Sequence, residues 1–289
     1  MKIAHLILAH NHPQQLEQLV KRLVYADDAV FIHLDKKTAI EPFLYLKNFK
    51  NVFLVANRVS VKWGAYSMIE ATLNGFKAII SAGTQFDFVN LLSGCDYPLQ
   101  TPRQIHQFFS ESTGKAYMSF APVYTEWHEA IPRIEHYHLT NYTFTGSHML
   151  QKLLNTVMPK RKMPLNLVPV GRSQWFTIAM ECMKYIVTYL EQNNKFRQFM
   201  KLTWGADEFI FQTILYNSPY REHLVNNNLR YIDWSEGGAS PKTLTIKDKE
   251  HLLASTMLYA RKFDLTKHGD VMSAIDKKLD SGITQLESA

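Results

Sequence analysis

Residues 3–34 read IAHLILAHNHPQQLEQLVKRLVYADDAVFIHL, and their pattern decides the fold. Ile3–Ala9 is an apolar run of strand length, interrupted only by His5. Pro13 can open a helix, because a first-turn residue has no need of its N–H. Leu16, Leu19, Val20 and Leu23 then fall on one helical stripe, and Ala29–Leu34 is a second apolar strand. The rhythm continues with a strand at 52–55 and a long helix at 65–81 carrying Met68, Ile69, Leu73, Phe76 and Ile80. A strand at 86–92 and a helix at 102–109 follow. Such alternation predicts an α/β fold with a mostly parallel sheet and helices on both faces. Ligands bind at the carboxyl ends of the strands in such sheets, which here means 9–12, 33–36 and 92–97.

Composition agrees with a packed enzyme-sized domain. Of 289 residues 46% are hydrophobic, which excludes a disordered chain, and 12 Gly with 11 Pro exclude collagen-like and linker-like classes. Two cysteines, Cys95 and Cys182, exclude a disulfide scaffold and a Cys-based structural zinc site. The net charge of +6 suits an anionic partner or simply aids solubility. No window approaches the roughly 18 apolar residues of a membrane span, and the interrupted run after Lys2 is short for a signal peptide. A cytoplasmic protein is expected, with peripheral contact to the inner face of a membrane left open.

From 117 to 170 periodicity fades and aromatic and charged residues crowd together: Tyr124, Trp127, His128, Arg133, Glu135, Tyr137, His138 and Tyr142, followed by Lys160, Arg161 and Lys162. Flat aromatic faces suit sugar rings; a self-burying insertion is the alternative. Regular patterns return with a strand at 174–179, helices at Met180–Gln192 and 206–216, a strand at 229–234 and a helix at 251–257. One composite domain over 1–264 is expected. It comprises a nucleotide-binding half (1–116), an acceptor-side insertion (117–170) and a catalytic half (171–264), with a polar tail at 265–289.

No glycine-rich phosphate loop follows the first strand, which points away from nicotinamide enzymes and P-loop NTPases. No Asp-x-Asp occurs. The pairs His10/His12 and His136/His138 each offer two ligands, too few for a metal site. A bound diphosphate would then need fixed cations instead of Mg²⁺ or Mn²⁺, and Lys242, Arg261 and Lys262 are candidates. Asp207-Glu208 is the main acidic pair. It could simply favour a helix start, or Glu208 could take a proton from an attacking hydroxyl while Asp207 orients it.

Seven segments in order carry a resemblance: AHLILAHNHPQQLEQLVKRL (4–23), FIHLDKK (31–37), VKWGAYSMIEA (61–71), FVNLLSGCDYPLQ (88–100), GRSQWFTI (171–178), ADEFIFQTILYNSP (206–219) and 240–264 ending YARKFD. Together they resemble the core-2/I-branching glycosyltransferase family, which includes β-1,6-N-acetylglucosaminyltransferases and peptide O-xylosyltransferases. The resemblance implies a GT-A-like fold, an inverting mechanism, a UDP-sugar donor and no metal or other cofactor. It makes Glu208 of ADEF the general base and Arg261 and Lys262 of YARKFD the diphosphate ligands, with Lys242 beside them. It sets Asp35 of HLDKK against the uridine, Ala9 and His10 near the nucleotide, Trp63 of KWG beside the donor and Trp234 on the acceptor side. Gln174 of SQWF stands where xylosyltransferase-like members place an acidic residue that contacts the donor sugar, so UDP-GlcNAc is the first donor expectation and UDP-xylose the second. The acceptor expected is a glycan or lipid-linked oligosaccharide, with no nucleic-acid partner. A metal-dependent transferase and a non-catalytic sugar- or nucleic-acid-binding protein are the competing readings.

Overall fold

The computed structural model describes residues 1–287. Its strands are β1 (Ile3–Ala9), β2 (Ala29–Leu34), β3 (Val52–Leu54), β4 (Phe88–Ser93), β5 (Asp96–Pro98), β6 (Ala116–Pro122), β7 (Val170–Ala179), β8 (Leu224–Val225), β9 (Arg230–Ile232) and β10 (Tyr259–Arg261). The helices are α1 (Pro13–Leu23), α2 (Ser67–Ser81), α3 (Pro102–Ser110), α4 (Ile131–Glu135), α5 (Ser147–Val157), α6 (Met180–Gln192), α7 (Asn194–Lys201), α8 (Ile210–Tyr216), α9 (Lys249–Ala254) and α10 (Leu265–Glu287).

Seven strands form the main sheet in the order β3-β2-β1-β4-β7-β6-β8. The first four are parallel, with Ala9 opposite Leu34 and Leu8 opposite Ser93. β7 then runs antiparallel to both β4 and β6. β1, β2 and the first five residues of β4 are buried throughout, as a sheet covered on both faces requires. Side chains alternate between faces along β1. Leu6 points at α2, where Gly75 allows so close an approach that a Cβ there would stand 2.3 Å from its methyl. His5 points the other way, to Asn90 (3.0 Å) and towards Asp28, which also binds His106 of α3 at 2.7 Å. The mostly parallel first half and its antiparallel continuation form one α/β architecture, a central sheet flanked by helices.

A small second sheet, β5-β10-β9, stands over the carboxyl edge of the first. It places residues 96, 232 and 261 in one row. Gln15 at the start of α1 fixes this layer: its amide donates to the carbonyls of Gly94 and Phe263 and accepts from Leu265 N–H.

Three segments differ from expectation. The stretch 206–216 is not one helix. Glu208 and Phe209 N–H bond to Gly205 and Ala206 carbonyls in a tight 3₁₀ turn, and Phe209 (φ −119°) breaks the run before α8. The region 117–170 is not all insertion, since β6 is an inner strand of the main sheet. The segment expected as a polar tail is α10. It buries Val271, Met272, Ile275 and Leu279 and is tied down by Arg22 to Asp276 (2.7 Å) and Asp280 (2.6 Å). Residues 288 and 289 lie outside the described residues. Among those described, no helix is long and apolar enough to cross a membrane.

Candidate active site

The carboxyl ends of β1, β2 and β4 open into a cleft of about 830 Å³, closed on its other sides by β7, the 206–208 turn and the 232–241 loop. Ala9, His10, Asp35, Trp63, Gln174, Glu208, Trp234, Arg261 and Lys262 all line it. Another hollow, of about 500 Å³, lies beside β2 and β3 at the sheet edge. Its charged groups, Lys2 and Asp27, face each other at 3.2 Å, so it holds no comparable set of chemistry.

Asp35 follows β2. Its backbone N–H bonds to the Ala9 carbonyl (2.8 Å) and its carboxylate accepts from Lys37 N–H (2.9 Å), so it holds the turn as well as facing the cleft. Trp63 and Trp234 stand at the rim, 61% and 54% exposed, with broad apolar faces open to a ligand. Trp63 meets Trp204 edge-on at 5.3 Å. Gln174 is buried, and its amide nitrogen has no partner, leaving a donor beside the cavity.

The cationic side is built on a buried acid. Asp96 in β5 is fully buried, accepts from Ser93 N–H (3.0 Å) and faces Arg261 Nε at 3.1 Å. Burial pushes its carboxyl up, against the pull of the Arg261 guanidinium. Arg261 also lies over the Trp175 ring at 4.3 Å, so the fork is held from two sides and is directed along the cleft wall beside Lys262. Below them Arg230 is buried, bound to Thr177 Oγ1 (3.0 Å), Asn90 Oδ1 (2.5 Å) and the carbonyls of Leu91 (3.0 Å) and Phe176 (2.9 Å). Burial lowers its pKa to about 10. Lys242 is outside the cleft lining. Its ammonium is 2.6 Å from Asp248 and 3.6 Å from Asp233, so two carboxylates already match its charge. The 160–162 cluster is likewise divided. Arg161 is buried against Phe199 and the carbonyls of His136, Phe199 and Leu202, and Lys160 pairs with Glu135 at 2.6 Å.

The acidic side contains a residue that sequence reasoning placed in the crowded middle stretch without giving it a role of its own. Arg133 of α4 binds the Glu208 carboxylate at 2.7 Å and the carbonyls of Trp204 (3.2 Å) and Gly205 (3.1 Å). Its guanidinium lies among the rings of Trp127, Trp204 and Phe209. Gly205 has φ +62°, and a Cβ there would be 2.1 Å from the Arg133 nitrogen. Only glycine lets the turn hold its backbone this close to the arginine. Trp127, Glu129, Arg172, Trp175 and Asn228 also line the cleft.

Asp207 is buried beside Glu208, with one carboxyl oxygen unpartnered. Burial, then the neighbouring Glu208 charge, raises its pKa to about 7. In the unfolded chain it would titrate near 3.9. Between those values the folded state binds the proton and the unfolded state does not, so rising pH removes stability across that window, and ionisation above it costs a few kcal/mol. Asp207→Asn removes this dependence. Urea titrations at pH 5 and pH 8 should show the variant gaining stability over the parent mainly at pH 8; equal differences at both would disprove the shift.

A family model described as Core-2/I-Branching enzyme matches residues 3–257. Xylosyltransferase 2 of Rattus norvegicus is 26% identical over 308 residues, covering 96% of this chain and 33% of the relative. Xylosyltransferase 1 of the same species is 24% identical, covering 96% and 35%. The chain thus spans about a third of the length of the curated relatives it matches. A crystal structure of mouse xyloside xylosyltransferase 1 in its apo form aligns with a TM-score of 0.44 at 11% identity, covering 89% of this chain and 96% of that one. The family match runs from β1 through α9 and takes in every cleft residue except Arg261 and Lys262. The chain belongs to the Core-2/I-Branching enzyme family.

Proposed function

We propose that the protein transfers a sugar from a UDP-sugar to a hydroxyl of a glycan acceptor, with inversion and without a metal ion. One observation carries this reading: the Glu208 carboxylate and the Arg261-Lys262 cations line one cleft at the carboxyl ends of parallel strands. The acceptor oxygen attacks the anomeric carbon and gives its proton to Glu208, and the bond from that carbon to the phosphate oxygen breaks. UDP leaves as an anion, and the fork of Arg261 and the ammonium of Lys262 stabilise the charge it gains. Asp35, Ala9 and His10 lie where the nucleoside would rest, and Trp63 and Trp234 offer faces to the sugars.

The metal-free reading is supported by the adjacent cations Arg261 and Lys262, which line the cleft and could meet the diphosphate charge themselves. For the donor, UDP-GlcNAc was the first expectation from sequence. The relatives named xylosyltransferases put UDP-xylose level with it, and we assign the reading of the sugar to the unpartnered Gln174 amide nitrogen beside the cleft.

Calorimetric titration of UDP with and without EDTA tests the site. Binding that persists in EDTA is expected, and binding lost in EDTA would overturn the metal-free mechanism. Lys262→Ala should weaken UDP by about tenfold or more, the worth of one charge-assisted contact. Unchanged affinity would remove Lys262 from the site. UDP-GlcNAc and UDP-xylose titrated in parallel rank the donors.

A further inference from the structure

Helix α5 is turned inside out. Its sequence SHMLQKLLNTV has one apolar arc, and an amphipathic helix normally buries such an arc. Here no residue of the helix is buried. The polar side faces the protein instead. Gln151 Oε1 accepts from Leu139 N–H (2.8 Å), and Asn155, one turn on, accepts from Tyr137 N–H (2.7 Å) and donates to the Tyr137 carbonyl (3.0 Å). These bonds fix the rotation of the helix, so Met149, Leu153 and Val157 at i, i+4 and i+8 face outward, 78%, 56% and 63% exposed. Leu150 widens the row.

The charge of the surrounding segment is one-sided. No Asp or Glu occurs between Glu135 and Glu181, while Lys152 and Lys162 are exposed there. On the helical wheel Lys152 borders the apolar arc on the Met149 side, where a long side chain can lie along apolar surface and keep its ammonium in the polar layer. An apolar row bordered by Lys152, in a segment whose sequence carries cations and no acidic residue, matches the interface of a bilayer that carries anionic headgroups. A second copy of this chain would meet the same cations with like charge.

We propose that α5 docks the protein on an anionic lipid surface, with Met149, Leu153 and Val157 entering the headgroup–acyl boundary and Lys152 and Lys162 meeting lipid phosphates. This does not depend on the sugar-transfer reading. The full chain is sedimented with vesicles of phosphatidylcholine, or of phosphatidylcholine and phosphatidylglycerol at about three to one. Co-sedimentation with the anionic vesicles is expected, with less binding to the neutral ones and release by salt. Met149→Glu with Leu153→Glu should lower the partition by about tenfold or more, since charge replaces inserted apolar surface. These side chains are exposed, so the melting curve and UDP affinity should stay as in the parent. No binding by the parent, or equal binding by the variant, overturns the proposal. So does a dimer in sedimentation velocity that the substitutions dissolve, which would assign the face to a second copy.

Discussion

Glu208→Gln should bind UDP as the parent does and lose turnover by roughly 10² to 10⁴, the usual worth of a general base. The substitution isolates proton transfer from shape. A glutamine carbonyl can still accept from Arg133, which holds the carboxylate at 2.7 Å and is itself fixed by two backbone carbonyls and three rings. The side chain therefore stays where it is but can no longer take the acceptor proton. Initial rates with either donor, with UDP affinity measured on the same preparation, separate the two effects. Parent-like turnover would sink the assignment of Glu208, and lost UDP binding would show that the carboxylate supports the donor site rather than the proton.

Arg230→Met should destabilise the fold by about 3–5 kcal/mol, as when one member of a buried polar network is removed. The guanidinium is only 5% exposed and joins Asn90 and Leu91 of β4 to Phe176 and Thr177 of β7, where the sheet changes from parallel to antiparallel pairing. Methionine fills much of the volume but leaves two strand carbonyls and the Asn90 oxygen without that donor. The shift in urea midpoint reports the loss. A change under about 1 kcal/mol would mean that the strands hold their pairing without the arginine.

What could be read from sequence follows the range of each interaction. Met180–Gln192 was read to the residue, since an apolar stripe at helical spacing is a local signal. The first strands were legible for the same reason: a buried parallel strand is a nearly continuous apolar run, broken here only by His5 and His33, and β1 and β2 are buried at every position. Arg133 stood out only as one of a crowd, and its pairing with Glu208 was not legible because the two are 75 residues apart and no local pattern joins them. Lys242 was a candidate by its charge and by its position, and neither shows that Asp248 and Asp233 claim that charge. The α10 signal was present, since Val271, Met272, Ile275 and Leu279 recur at helical spacing, but polar residues between them masked it. The stripe of α5 was equally visible. Spacing reveals that an arc exists, and only the bonds of Gln151 and Asn155 reveal which way it faces.

The small sheet sets the order in which the molecule can be completed. β10 enters between β5 and β9, more than a hundred and fifty residues after β5, and brings Arg261 onto Asp96. While the chain emerges from the ribosome, Asp96 has no such partner, and the Gln15 amide lacks two of its three contacts until Phe263 and Leu265 have been made. The parallel half can collapse early, but its carboxyl edge stays unfinished until nearly the whole of 1–265 has been synthesised. Contacts this distant in sequence form late and slowly. Nascent chains halted before residue 259 should therefore remain protease-sensitive around 94–98, and competence to hold a nucleotide should arrive in a single late step rather than accumulate with length.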